Sequence, residues 1–251
     1  MKAHTHVARS VTLNFIYAPA SKLKTTKIRF RGFLVEPALP NDRVGFMGVT
    51  SFTKWSFFLL GLTFFLTGLI PLLVIRNGED NPPSPWLMRV ALLLFECAGP
   101  TTLLVASVVR YALWPMALVK STDTGPFKAP RALIEHNFNV VMALVELGLL
   151  GGLPVRLTDF SVAPLFGIVY VLFSWSMVHQ WAPPSEGPQF LYFFMDTTLG
   201  WKTTAALLAL LAVLSAFYGI FFLASNYLHG SIGVNAVAIV ALLSLVCRLG
   251  D

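Results

Sequence analysis

A threonine hydroxyl beside a neutral histidine can act as a nucleophile, with the imidazole taking its proton. Histidine suits that role because its unperturbed pKa lies near neutrality. This chain carries both residue types inside apolar stretches. Thr53 opens FTKWSFFLLGLTFFLTGLIPLLVI, residues 52–75, and His136 stands early in ALIEHNFNVVMALVELGLLGG, residues 132–152. On a helix, His136, Asn139, Ala143 and Glu146 are spaced i, i+3, i+7 and i+10 and share one face, with Asn137 beside them. Lipid cannot satisfy such a face, so it should point into a bundle. Two readings stay open for it: a reactive site, or interhelical hydrogen bonds of about 0.6–2 kcal/mol each. Thr53 has two readings as well, nucleophile or N-cap of the helix that it opens.

Other ionisable residues extend the set. His179 ends the apolar stretch 160–181, and counting spans brings it to the level of Thr53 and His136. Glu96 and Glu146 fall near mid-membrane, where an ionised carboxylate is costly, and the pair offers a route for a proton relay. Arg110 follows Glu96 by 14 residues, about 21 Å along a helix, too far for direct pairing. Gly148 and Gly152 form a GxxxG pair suited to helix packing. No phosphate-binding glycine loop, G-x-S-x-G elbow, HExxH or Cys/His metal cluster is present, so no cofactor or metal is expected. Cys97 and Cys247 lie in apolar stretches and fit neither a structural disulfide nor a metal spacing.

The elements that must position these residues follow from composition. Of 251 residues, 56% are hydrophobic and 12% charged, against about 45–50% and about 25% in soluble domains. Spans of about 20 residues are expected at 52–75, 86–114, 132–152, 160–181, 201–225 and 232–249, the last only marginally long enough. The fold class is therefore all-α, a polytopic transmembrane helical bundle of about six spans, with five to seven as the bounds. Residues 1–50 form a basic tail and 51–249 the bundle. Within the tail, IRFRGFLVEPALP alternates weakly, like a short strand that Pro37 and Pro40 stop. Gly99 and Pro100 are expected to kink the second span.

The net charge of +6 does not indicate nucleic acid, because eight of the 18 Lys and Arg residues precede residue 50. Basic residues there hold a tail in the cytosol, so membrane lipids, with an anionic surface under the tail, are the expected partners. The expected location is multi-pass in the endoplasmic reticulum or plasma membrane, N-terminus cytosolic. The sequence leaves the oligomeric state open.

Three motifs add a resemblance. FTKWSFFLLGLTFFLTG resembles the threonine–x–tryptophan opening of a span in the rolling-stone-like membrane proteins and their plant relatives. HNFNVVMALVEL resembles their histidine–x–x–asparagine span, and YFFMDTTLGWKTTAALLALLAVLSAFYGIFFL their loop acid and following helix. That group is distantly similar to the androgen-induced, androgen-dependent membrane hydrolases, which cleave fatty acid esters of hydroxy fatty acids with an intramembrane threonine and histidine. The resemblance spans roughly residues 50–226. It implies Thr53 as nucleophile, His136 as base, Asn139 as the polar neighbour and Asp196 as the loop acid. Two departures stand out: the tail before Thr53 is polar, and an apolar segment follows Asn226. The resemblance also admits a non-catalytic membrane interaction or fusion protein. A small carrier or proton-coupled channel using Glu96 and Glu146 is a third reading.

Overall fold

The computed structural model describes residues 28–30, 33–35, 50–78, 82–119, 128, 130–150, 153–178, 180, 190, 192–228 and 231–248. Among these, the fold is an all-α helical bundle preceded by one small hairpin. In the hairpin, β1 (Ile28–Phe30) pairs antiparallel with β2 (Phe33–Val35), Phe30 opposite Phe33. The alternation in IRFRGFLV thus forms two strands rather than one. Most of the basic tail lies outside the described residues, and so do His179 and Gly152.

Helix α1 spans Phe52–Asn77. Helix α2, Pro85–Val108, runs through a π turn at Val109–Leu113 into the short α3, Trp114–Val119. The third apolar stretch is broken into α4 (Pro130–Leu133), a π turn (Ile134–Phe138) and α5 (Asn139–Gly148). A 3-10 turn at Leu157–Asp159 leads into α6 (Val162–Ser176). Two further 3-10 turns precede α7 (Trp201–Tyr227), and α8 (Ile232–Val246) follows.

Four helical stretches among the described residues have the length and apolarity to cross a membrane: 52–77, 85–113, 157–176 and 201–227. These mark the chain as built for a membrane. Helix α8 has 15 residues, about 22 Å of rise, less than the roughly 30 Å of a hydrocarbon core.

Pro100 lies inside α2 and the helix continues through it. Proline removes an amide donor there, and threonine hydroxyls can bond the carbonyls of the preceding turn. Thr101 Oγ1 donates to the carbonyls of Cys97 and Ala98 at 3.0 and 2.8 Å, and Thr102 Oγ1 to Gly99 at 2.7 Å.

The contacts divide the chain into two compact units. One comprises residues 1–51, 108–133 and 167–211; the other comprises 52–107, 134–166 and 212–251. In the first, Tyr170 is buried, its hydroxyl donating to the Thr50 carbonyl at 3.0 Å and its ring lying 6.4 Å from Tyr192. Trp175 Nε1 donates to the Met195 carbonyl at 3.0 Å.

In the second unit, α8 packs antiparallel along α5. Asn235 Nδ2 donates to the Gly148 carbonyl at 2.8 Å at one end, and Asn137 Nδ2 to the Arg248 carbonyl at 2.9 Å at the other. A Cβ on Gly148 would stand 3.1 Å from both Ile239 and Leu228. The missing side chain is what lets the helices approach so closely.

Candidate functional site

The second unit holds two separate polar clusters, built from different ends of its helices. The first surrounds His136. Lys54, in the first turn of α1, bonds the carboxylate of Glu135 in the π turn. Each is the sequence neighbour of a residue of interest, Thr53 and His136, so the start of α1 and the π turn stand side by side. Thr53 is half-buried and shares a helix face with Ser56, Leu60 and Thr63, all buried. Ser56 Oγ donates to Thr101 Oγ1 of α2 at 3.2 Å. Because α1 begins at Phe52, Thr53 sits inside the first turn rather than at the N-cap.

His136 is buried. Its π turn widens the backbone spiral, a distortion that recurs at functional sites. It also interrupts the regular 3.6-residue spacing that would put His136 and Asn139 on one face. Both side chains are nevertheless buried, together with Ala143, while Glu146 is half-buried. Asn139 Oδ1 accepts from the Val140 amide at 2.7 Å, and its Nδ2 is buried with no hydrogen-bond partner among the described residues. Asn137 is used differently: its amide bonds Arg248, and its own carbonyl receives the Cys247 thiol at 3.9 Å. That makes Asn137 interhelical glue.

The second cluster is centred on Glu96 of α2. Here the backbone after α5 returns among the helices. Glu96 Oε1 accepts from the Arg156 amide at 2.6 Å, Tyr218 donates to the Arg156 carbonyl at 2.7 Å, and Ser225 accepts from the Val155 amide at 2.9 Å. Irregular backbone at membrane depth survives only where protein groups satisfy it, and these three side chains do so. Asp159 receives both terminal nitrogens of Arg89, at 2.7 and 2.5 Å, and Arg156 Nε at 3.0 Å. Phe160 meets Tyr218 edge-on, ring centres 5.4 Å apart.

Glu96 is thus part of a built cluster with Asp159, Arg156 and Tyr218, none of which the sequence reading joined to it. One signal was available. Arg89 and Arg156 both lie in or beside apolar stretches, where a cation without a partner is costly.

Asp196 belongs to the first unit and is a turn builder there. It caps the 3-10 turn Thr197–Leu199, its carboxylate accepting from the amide and hydroxyl of Thr198 at 2.9 and 2.6 Å. Its carbonyl receives the Thr203 hydroxyl. Gly200, at φ 59°, then takes the left-handed conformation that lets α7 begin at Trp201. The placement of His179 lies outside the described residues. No group of three His, Cys, Asp or Glu among the described residues could hold a metal ion.

Compared with known proteins, the chain matches no family model, no curated protein and no solved structure.

Proposed function

We propose that this multi-pass membrane protein is a lipid-ester hydrolase whose nucleophile is Thr53 and whose general base is His136. The reading rests on one observation: the Lys54–Glu135 pair holds the first turn of α1 against the π turn that carries the histidine. Thr53 Oγ attacks the acyl carbon while His136 takes the hydroxyl proton. The alcohol leaves with that proton, and an acyl-threonine remains. Water, deprotonated by His136, then cleaves the acyl-threonine, releasing a fatty acid and restoring Thr53.

Asn139 supports this reading as the oxyanion donor, since its buried Nδ2 has no partner among the described residues while that of Asn137 is committed to Arg248. A long-chain ester, such as a fatty acid ester of a hydroxy fatty acid, would enter laterally from the bilayer. The basic tail would rest on the anionic cytosolic leaflet of the endoplasmic reticulum or plasma membrane.

A fluorophosphonate probe on protein in lipid nanodiscs tests the reading. Labelling is expected in the native protein and in Thr53→Ser. It is expected to be lost in Thr53→Ala and strongly reduced in His136→Gln. No labelling of folded native protein, or labelling unchanged in Thr53→Ala, refutes it.

A second reading is a non-catalytic membrane interaction protein, favoured by the way the amide groups of Asn137 and Asn235 donate to backbone carbonyls of neighbouring segments. It expects Thr53→Ser and Thr53→Val to be tolerated alike.

A further inference from the structure

Two guanidinium groups share one carboxylate in the second unit. Arg89 Nη1 and Nη2 donate to Asp159 Oδ2 and Oδ1 at 2.7 and 2.5 Å. Arg156 Nε donates to Oδ2 at 3.0 Å, and its Nη2 stands 2.8 Å from the same oxygen. Glu96 bonds Arg156 through the backbone amide, and neither guanidinium bonds Glu96 among the described residues. Arginine keeps its charge at every pH that the protein meets. Two cations therefore lean on a single anionic partner. Asp159 is buried, whereas the side chains of Arg89 and Arg156 are 40% and 43% exposed.

Asp159 engages one edge of each fork. A guanidinium also has donors on its other edges. Arg89 Nε and Arg156 Nη1 have no protein acceptor among the described residues. The acceptor that best matches paired guanidinium forks is a carboxylate or a phosphate. Asp159 holds both forks in place beforehand, so a ligand need not order them on arrival.

The surroundings select the source of that acceptor. Trp86 lies one turn before Arg89 on the same helix face and is exposed. Leu157 follows Arg156, Phe160 follows Asp159, and both are exposed. The Phe160 ring is fixed edge-on against Tyr218. Arg89 is about 6 Å of rise from Pro85, where the apolar stretch 85–113 begins, and Arg156 directly precedes the stretch 157–176. Basic and aromatic side chains at span ends sit at the depth of lipid headgroups. A soluble phosphate would make no use of the apolar rim, but a phospholipid would.

We propose that Arg89 and Arg156, held by Asp159, bind the phosphate of an anionic glycerophospholipid whose acyl chains lie against Trp86, Leu157 and Phe160. The surplus cation favours a headgroup with net negative charge. A choline headgroup would bring a third cation to the site and offset part of the attraction. The site involves neither Thr53 nor His136 and stands whether or not they catalyse.

Native mass spectrometry of the full chain tests this, with micelles containing phosphatidylglycerol or phosphatidylcholine of the same chain length. Phosphatidylglycerol is expected to be retained about tenfold better than phosphatidylcholine, and Arg156→Gln is expected to lower its retention about tenfold, as loss of one charged hydrogen-bonding group implies. Arg76→Gln, in the exposed last turn of α1, is the control for surface charge and should change nothing. Equal retention of the two lipids, or equal effects of Arg156→Gln and Arg76→Gln, overturns the proposal. So does displacement of phosphatidylglycerol by an equal concentration of inorganic phosphate, which would make the ligand a soluble anion. Should Arg156→Gln fail to fold, phenylglyoxal modification of the native chain decides. Phosphatidylglycerol is expected to slow modification of Arg89 and Arg156 but not of Arg76, and equal rates in the two lipids overturn the proposal.

Discussion

Gly99→Ala measures how tightly α2 packs against α7. Gly99 is buried in α2, and an added Cβ would stand 2.2, 2.6 and 2.7 Å from the Cε1, Cζ and Cδ1 atoms of Phe221. Three ring atoms inside 3 Å mean that the ring must move as a body. Phe221 has no room to do so, because it is fully buried and meets Phe95 edge-on with ring centres 6.1 Å apart. Overpacking of this kind costs about 1–3 kcal/mol, and a clash this deep belongs at the upper end. Replacing glycine by alanine inside a helix returns about 1 kcal/mol. The expected net loss is about 2 kcal/mol. Gly61→Ala on α1 supplies the control, since nothing lies within 4 Å of its added Cβ. That variant is expected to be neutral or up to about 1 kcal/mol more stable, leaving the two variants about 3 kcal/mol apart. Unfolding of both in matched detergent micelles reads the difference. Phe221→Leu, combined with Gly99→Ala, should recover part of the loss as a coupling energy. Equal stability of Gly99→Ala and Gly61→Ala refutes the packing argument.

Asn235→Leu removes donors to the carbonyls of Gly148 and Leu228. It should cost about 0.6–2 kcal/mol and speed maleimide labelling of the buried Cys247 in a Cys97→Ser background as α8 loosens. Arg89→Met removes two bonds to Asp159 but leaves Arg156 in place. With Arg89 partly exposed, the loss in thermal unfolding should be about 1–2 kcal/mol. Trp175→Phe deletes the indole donor to the Met195 carbonyl and is expected to cost about 1 kcal/mol, read by the same unfolding assay.

Hydropathy made the helices legible, because a span is a local property: α1, α2 and α7 begin and end close to the limits of their apolar runs. Burial of His136 and Asn139 was also legible, since lipid offers such side chains no partner. The π turn at 134–138 was not. Nothing in IEHNF distinguishes a widened turn from an ordinary one, and the packing of neighbouring helices decides between them. The Glu96 cluster was hidden for a different reason. Its bonds join residues 60 to 70 positions apart, Arg156 to Glu96 and Arg89 to Asp159, and no periodicity encodes such pairings. The role of Asp196 was local, a cap two residues before Thr198. The family resemblance implied the acid of a site, and in this structure its carboxylate builds a turn.

Polar side chains buried in an oily chain divide by where their atoms end. Asn137 and Asn235 direct their amide protons at backbone carbonyls of other segments, and Ser225 accepts from one backbone amide. Such residues hold helices and loops together. Asn139 and Glu96 each keep one buried polar atom without a partner among the described residues, Nδ2 and Oε2, and Asn235 keeps its Oδ1. Leaving such an atom unmet costs about 1–3 kcal/mol, more if it is charged, so something must offset the loss. For Asn139 the missing partner must be an acceptor, which an ester oxygen supplies and a hydrocarbon chain does not. An electrophile that seeks out Thr53 is the experiment that decides whether that acceptor belongs to a reacting ester.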